Sequence, residues 1–208
     1  RLRQTFDSGK TRPIEWRLAQ LAEIERAMRD HEADFAEALQ KDLGKCRFEA
    51  VMTEMSFVEQ EAKYARKHLR NWMRHTRVRT PMMAQPGRSY IEPEPKGVVL
   101  IIAPWNYPMS MVAAPLVGAV AAGNCAVMKP SEVTSHTSAA LAAILPRYLD
   151  KDAFAVVEGA IPETTELLEQ KFDHILYTGN ERVAQTVMLA AAKHLTPVTL
   201  ERGGKSRC

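Results

Sequence analysis

The chain of 208 residues has few cysteines and no spacing typical of a metal site. Its three cysteines, Cys46, Cys125 and Cys208, form no C-x-x-C pair, and none of the six histidines lies at ligand spacing from another. An odd number of cysteines without such a pair favours a reducing compartment. We therefore predict a cytoplasmic protein without a metal centre.

The chain does not open with a charged and then apolar leader. It begins with Arg1 rather than Met, and a missing N-terminus would also remove such a leader. It ends just after a strand followed by a Gly-Gly turn, so we expect it to be part of a longer protein. The net charge of +3 is too small to indicate a nucleic-acid partner.

Residues 97–128 contain no Asp, Glu, Lys or Arg, which invites a membrane-spanning interpretation on length alone. Turn-forming residues interrupt this stretch, namely Pro104, Asn106, Pro108, Pro115, Gly123 and Asn124. A strand, a turn, a helix and a second strand buried in a sheet fit the pattern better, and we expect no membrane span here.

Residues 1–80 form a predicted helical segment. Apolar residues at helical spacing indicate one helix from Pro13 to a stop at Gly44, and a second helix over residues 48–72. Residues 63–88 contain eight Lys or Arg and no acid. This stretch is either a nucleic-acid-binding arm or a solvated helix face running into a linker; we favour the second, because few aromatic residues are available for base stacking.

Residues 81–96 are a predicted connector, in which residues 89–91 could form a short edge strand. From Gly97 onward, strands alternate with helices. The predicted strands are 98–103, 125–128, 154–157, 174–177 and 197–201. This alternation is typical of an α/β fold with a Rossmann-like, doubly wound parallel sheet. Ligands of such sheets bind beyond the carboxyl ends of the strands.

Two polar side chains follow predicted strands and could take part in catalysis. Asn106 lies in the turn Pro-Trp-Asn-Tyr-Pro, where a rigidly held amide could stabilise a developing oxyanion. The alternative is an Asn that only stabilises the turn. Glu201 follows an apolar strand and could activate water as a general base, provided that burial raises its pKa. It could equally be an acid on the surface at the end of a strand.

Two further strand ends could bind a cofactor. The string Lys129–Pro130–Ser131–Glu132 places a cation and a carboxylate where a ribose diol could bind, or it is simply the capped start of a helix. Gly179 and Asn180 open the next helix, whose N-terminal amides could attract phosphate, although Glu181 would oppose an anion. By itself this second string is an ordinary strand-to-helix turn.

Taken together, these strings resemble the aldehyde dehydrogenase superfamily, and its class 3-like branch of fatty-aldehyde and coniferyl-aldehyde dehydrogenases in particular. The resemblance extends over nearly the whole chain. It includes Pro-Glu-Thr-Thr-Glu-Leu-Leu from Pro162, Ala-Ala-Lys-His-Leu-Thr-Pro-Val from Ala191, and Leu-Glu-Arg-Gly-Gly-Lys from Leu200. A glutamyl-phosphate reductase of the same superfamily matches these strings less well.

The resemblance implies oxidation of medium- or long-chain aliphatic or aromatic aldehydes with NAD or NADP. A cysteine thiolate would attack the aldehyde, Asn106 would hold the oxyanion, and Glu201 would activate water. The cofactor site would include Trp105, Lys129, Ser131, Glu132, Gly179 and Asn180, within an NAD(P)-binding domain of residues 97–208. The full-length relative would be a homodimer.

The chain departs from the pattern of that family at several positions. The nucleophilic cysteine is expected beyond Cys208. Arg202 replaces a Leu beside Glu201, where we expect it to lower the pKa of that acid, and Arg207 replaces a Pro. Asn180, Glu181, Arg182 and Ala184 replace residues of a glycine-containing turn. We therefore expect an N-terminal fragment that is inactive alone, with a non-catalytic dinucleotide-binding module as the alternative.

Overall fold

The computed structural model describes residues 1–203, and the predictions for Gly204–Cys208 lie outside this range. Most of residues 1–72 are helical, as predicted, whereas residues 76–78, which the prediction included in the helical segment, form a strand. The α-helices of residues 1–72 are α1 (Leu2–Asp7), α2 (Ile14–Asp30), α3 (Glu32–Leu43), α4 (Arg47–Ala50) and α5 (Ser56–Trp72).

Two features of this helical segment differ from the prediction. The helix predicted from Pro13 to Gly44 is broken at His31, which has the non-helical angles φ −118° and ψ 26°. Gly44 does end α3, in the left-handed conformation that glycine adopts readily (φ 68°). The second predicted helix contains a π-helical turn, Val51–Met55, between α4 and α5.

Residues 89–91 do form a strand, but it does not belong to the parallel sheet. Strand β2 (Ser89–Ile91) pairs antiparallel with β1 (Thr76–Val78) in a separate two-stranded ribbon. A 3₁₀ turn, Met82–Ala84, lies between the two strands, and both Met82 and Met83 are exposed.

The predicted parallel sheet is confirmed, with all five strands within two residues of the expected bounds. Its strands lie in the order β5-β4-β3-β6-β7, so the winding direction reverses between β3 and β6. The strands are β3 (Val98–Ile102), β4 (Cys125–Lys129), β5 (Phe154–Val156), β6 (His174–Gly179) and β7 (Val198–Arg202). The helices that connect them are α6 (Ser110–Ala122), α7 (Ser135–Tyr148), α8 (Ile161–Leu168) and α9 (Glu181–Lys193).

Helix α6 joins the sheet to the helical segment. It contacts β3 and β4 on one side and α2 and α5 on the other. Every residue of β3 and β4 is buried, as expected for central parallel strands covered on both faces. The helical segment and the sheet therefore share a continuous hydrophobic core.

Side chains from the N-terminal segment satisfy the C-terminal end of α6. The guanidinium of Arg17 donates to the carbonyl of Ala121 (3.1 Å), and Thr11 Oγ1 donates to the carbonyl of Gly123 (2.7 Å). Gly123 has φ 82°, and a Cβ at that position would lie 2.6 Å from the Arg17 guanidinium. Glycine is thus required both by the backbone and by the close approach of Arg17.

A buried carboxylate ties α3 to the start of α7. Asp42 accepts hydrogen bonds from the backbone N–H groups of His136 (3.1 Å) and Thr137 (2.7 Å) and from both of their side chains. Burial alone would raise the pKa of Asp42, but the hydrogen bonds from Thr137 and His136 outweigh it and lower that pKa below its usual value. The charged form of Asp42 therefore stabilises the folded state.

We expect Asp42→Asn to lower the free energy of unfolding by about 2 kcal/mol near neutral pH, because charge-assisted bonds at a helix N-terminus are lost. Since the folded pKa of Asp42 is lowered, its contribution is complete above the unfolded value of about 3.9 and is lost as the pH falls through the folded value. Urea unfolding at several pH values would measure this. Glu37→Gln on the exposed face of α3 is the matched control; an equal effect of both variants would contradict the assignment.

Candidate active site

The loop after β3 presents three consecutive exposed side chains: Trp105, Asn106 and Tyr107. The two residues that follow them, Pro108 and Met109, are buried and anchor the loop at the start of α6. Within residues 1–203, no hydrogen bond engages the side-chain amide of Asn106, which leaves it available to a ligand. The backbone of the loop, in contrast, is held tightly.

A buried ion pair from the helical segment holds this loop. Lys45 Nζ lies 2.6 Å from Glu54 Oε1, and the two side chains are 8% and 0% exposed. The same ammonium donates to the carbonyl of Asn106 (3.0 Å) and lies 4.0 Å from the centre of the Tyr107 ring. The other oxygen of Glu54 accepts from the backbone N–H groups of Met109 (2.9 Å) and Ser110 (3.0 Å).

Lys129 is a buried cation at the carboxyl end of β4. Only 2% of the residue is exposed, and Nζ donates to the carbonyl of Pro130 (2.7 Å). Burial lowers the pKa of Lys129, an effect that the nearby carboxylates of Glu132 and Glu163 partly offset. The Glu132 carboxylate lies 3.9 Å from the ammonium and is half exposed. A hydroxyl-rich ligand above β4 would therefore find both a donor and an acceptor.

Ser131 and Asn180 both use their side chains within the protein. Ser131 is buried, and its hydroxyl accepts from the N–H of Val133 (3.3 Å). Asn180 is the N-cap of α9, and its side-chain oxygen accepts from the N–H of Val183 (3.0 Å). Both residues thus shape strand-to-helix turns at the carboxyl edge of the sheet.

Gly179 is required by a close approach rather than by its backbone angles. A Cβ at this position would lie 2.3 Å from the hydroxyl oxygen of Tyr177, two residues earlier on the same strand. That hydroxyl donates to the carbonyl of Asn180 (3.1 Å). Tyr177 therefore holds the turn between β6 and α9.

The strand register places Glu201 on the face of the sheet that α6 covers. His174 and Leu176 of β6 line a groove of about 230 Å³ together with residues of α6. His174 Nε2 lies 3.0 Å from Thr199 Oγ1 of β7, so those two side chains share a face. Because side chains alternate along a strand, Glu201 lies on the same face as Thr199. Its carboxylate is exposed within the described residues.

Arg202 lies on the opposite face of the sheet from Glu201. The Arg202 guanidinium lies 3.7 Å from the carboxylate of Glu181, at the start of α9. Alternation along β7 thus directs consecutive charges to opposite sides of the sheet. The two residues are neighbours in sequence, and they face apart because both belong to β7.

The candidate residues thus lie at the carboxyl ends of neighbouring strands. Ile102, the last residue of β3, pairs with Lys129 on one side and with Tyr177 on the other. Thr178 pairs in turn with Glu201. The loop containing Asn106 therefore leaves the sheet between the strands that position Lys129 and Gly179, at the point where the winding reverses.

The two described cysteines differ in environment. Cys125 is buried in β4, and this burial raises its pKa to about 11, so it is a poor nucleophile near neutral pH. Cys46 is exposed at the start of α4. Cys208 lies outside the described residues. Residues 1–203 contain no group of three His, Cys, Asp or Glu side chains able to hold a metal ion.

No helix within the described part of the chain combines the length and apolar character needed to cross a membrane. The basic stretch over residues 63–88 begins on the solvated face of α5. There, Lys63 pairs with Glu59 and Arg66 pairs with Glu25.

Sequence reasoning missed Lys45 and Glu54. Both are charged residues in a helical segment that otherwise shows ordinary amphipathic spacing, and the loop that they contact lies more than fifty residues away in the chain. The one available signal was Lys45 directly after the helix-ending Gly44, a position that proved to be buried.

The order of its strands makes this an α/β protein with a doubly wound parallel sheet, a fold class whose ligands bind at the carboxyl edge of the strands. The chain belongs to the aldehyde dehydrogenase family, which matches residues 2–208.

Similar proteins are about twice as long as this chain. Aldehyde dehydrogenase family 3 member B2 of Mus musculus is 50% identical over 207 residues, covering 100% of this chain and 43% of the relative. The dimeric NADP-preferring aldehyde dehydrogenase of Canis lupus familiaris is 50% identical over 208 residues, covering 100% of this chain and 46% of the relative.

A solved structure shows the same fold. The substrate-bound state of Staphylococcus aureus AldH superposes with a TM-score of 0.95 at 43% identity, covering 98% of this chain and 44% of that one. The chain therefore spans less than half the length of the relatives that it matches.

Proposed function

We propose that this chain is the N-terminal, cofactor-binding part of an NAD- or NADP-dependent enzyme that oxidises medium- or long-chain aliphatic or aromatic aldehydes to carboxylic acids. Membership of the aldehyde dehydrogenase family supports the reaction class. The observation that most supports the site is the register of β7, which directs Glu201 to the face of the sheet covered by α6. Asn106 lies in the loop that begins this same helix.

The residues at the sheet edge fit the ribose part of a dinucleotide. Lys129 offers a buried ammonium and Glu132 a half-exposed carboxylate, which suit a diol that both accepts and donates hydrogen bonds. Ser131 shapes their turn, Gly179 and Asn180 form the turn above β6, and Trp105 lies exposed at the end of β3. NAD or NADP bound there would accept the hydride removed from the aldehyde.

The catalytic roles follow from the chemistry of the two remaining groups. The Asn106 amide would donate a hydrogen bond to the oxygen that becomes negative when the aldehyde is attacked. Glu201 would accept a proton from the water that releases the acid. We place the nucleophilic thiolate outside residues 1–208, as the resemblance to the family implies. Cys125 is unsuited to the role, since burial raises its pKa to about 11.

The same proposal includes three organisational points. Residues 1–80 form an N-terminal segment that is helical as far as Trp72, residues 81–96 the connector, and residues 97–208 the NAD(P)-binding domain. The longer enzyme is a cytoplasmic homodimer that binds no nucleic acid. The name of the dimeric relative from Canis lupus familiaris supports the dimer, as do the exposed side chains Met82, Met83, Tyr90 and Ile91 around the two-stranded ribbon.

A non-catalytic dinucleotide-binding module is the second candidate function. The exposure of Glu201 favours it, because a general base in solvent lacks the desolvation that tunes a carboxylate for this role. The two functions agree on cofactor binding and differ in whether the longer protein turns over an aldehyde, so both measurements are needed.

We expect Lys129→Met to weaken NAD binding by about 10- to 100-fold, because a hydrogen bond from a charged donor is lost at a buried position. Isothermal titration calorimetry on the 208-residue chain would measure the dissociation constant. Lys151→Met, at an exposed lysine in a turn, is the matched control. Equal affinity of the Lys129 variant and the wild type would remove Lys129 from the cofactor site.

Glu132 is expected to favour NAD over NADP, since its carboxylate would repel a 2′-phosphate. Glu132→Gln should therefore improve the affinity for NADP relative to NAD by about five-fold, corresponding to roughly 1 kcal/mol of repulsion near the surface. Calorimetric titrations with both cofactors test this, with Glu94→Gln as a control. Equal dissociation constants for NAD and NADP in the wild type would refute it.

The 208-residue chain is expected to bind cofactor but to give no sustained NADH production from an aldehyde, because it lacks a cysteine in the nucleophile position. Absorbance spectroscopy with an aliphatic and an aromatic aldehyde would measure this. Turnover that Cys208→Ala abolishes would instead identify Cys208 as the nucleophile. If the chain neither binds cofactor nor turns over an aldehyde, it has no activity of its own, which would contradict the proposed function.

A further inference from the structure

The Lys45–Glu54 pair makes contacts that reach beyond its own helices. The ammonium contacts the carbonyl of Asn106 and the ring of Tyr107, and the carboxylate accepts from the N–H groups of Met109 and Ser110. The pair therefore holds the loop at two points: the ammonium holds the carbonyl of Asn106 in the middle of the loop, and the carboxylate holds two N–H groups at the start of α6.

Stability alone does not account for this arrangement. Burying two charges costs free energy that their mutual attraction often fails to repay, and apolar side chains of similar size usually stabilise a core equally well. Yet the described hydrogen bonds that Lys45 Nζ and Glu54 Oε2 make beyond the pair all go to the loop that contains Asn106 or to the start of α6 directly after it. The pattern is that expected when a rigid polar network supports a functional group.

We propose that Lys45 and Glu54 are positioning residues for Asn106, fixing the peptide from which its side-chain amide projects. The inference rests on the proposed function, in which Asn106 donates to the oxyanion. An amide on a peptide fixed in this way need not reorganise as charge develops, which is the condition for strong oxyanion stabilisation. A displacement of about 1 Å would cost a large part of that effect.

The local backbone explains how two residues nine positions apart meet beneath this loop. Gly44 ends α3 in the left-handed conformation, and Lys45 is followed by Cys46, the N-cap of α4. Glu54 lies within the π-helical turn Val51–Met55, a widened turn of a kind often found at functional sites. One departure from regular α-helix thus directly precedes Lys45, and the other contains Glu54.

The test compares single and double neutral replacements of similar shape in the 208-residue chain. Lys45→Met and Glu54→Gln each leave one buried charge without its partner, so each should lower Tm by on the order of 10 °C. The double variant removes both charges and should recover most of that loss. Lys41→Met with Glu37→Gln, an exposed pair on α3 with a separation of 2.6 Å, is the matched control.

Amide hydrogen exchange then separates positioning from stability. In the double variant, the N–H groups of Met109 and Ser110 should exchange about ten-fold faster or more, because a neutral acceptor replaces a carboxylate. Amides in β3 and β4 should remain as protected as in the wild type. Unchanged exchange of Met109 and Ser110 in a stable double variant would overturn the inference, whether or not the chain belongs to an enzyme.

Kinetics of the longer enzyme provide the functional readout. The double variant should lower kcat by roughly 10- to 100-fold while leaving KM for the cofactor unchanged, and combining it with Asn106→Ala should add little, because all three changes affect one interaction. Full activity in the double variant would overturn the inference. A wild-type enzyme without dehydrogenase activity would instead refute the proposed function, and hydrogen exchange would still decide whether the pair holds the loop.

Discussion

The architecture depends on satisfying the two ends of one buried helix. Helix α6 contains no charged residue and lies between the sheet and the N-terminal helices, so its terminal N–H and C=O groups have little access to water. Glu54 accepts from the first N–H groups, and Arg17 donates to a carbonyl near the last turn. Residues of the helical segment thus make it possible to bury α6, and α6 in turn links that segment to the sheet in one core.

Much of the sheet could be predicted from sequence because its signals are local. Apolar runs bounded by glycine, proline and asparagine set each strand to within two residues, and the alternation with helices indicated parallel pairing. The interruption at His31 and the π-helical turn before α5 left no such signal, since the apolar spacing continues through both. The strand at residues 89–91 was predicted, but its partner was not, because pairing depends on contacts distant in sequence.

The candidate site was predictable in position and less so in detail. Strand ends identified Asn106, Lys129, Gly179 and Glu201, since parallel strands present their carboxyl ends at one edge. The reasons for particular residues required the structure. Gly179 avoids the Tyr177 hydroxyl, and Asn180 caps α9; a prediction based on nucleotide-binding turns assigns both to a ligand. The structural role and the proposed ligand-binding role of these two residues are compatible, because a turn that is already rigid in the absence of ligand needs no ordering when a ligand binds.

The exposure of Glu201 sets a condition on the proposed chemistry. A general base gains from partial desolvation, yet β7 is the edge strand of the described sheet, and the carboxylate is exposed. Arg202 pairs with Glu181 on the other face, so no neighbouring cation in β7 competes for Glu201. In the proposed enzyme, polypeptide covering the α6 face beside β7 would have to desolvate Glu201 while leaving a path for water. The pair Lys45–Glu54 holds the peptide of Asn106 from within this chain. The two proposed catalytic groups therefore differ in which part of the enzyme would form their environment.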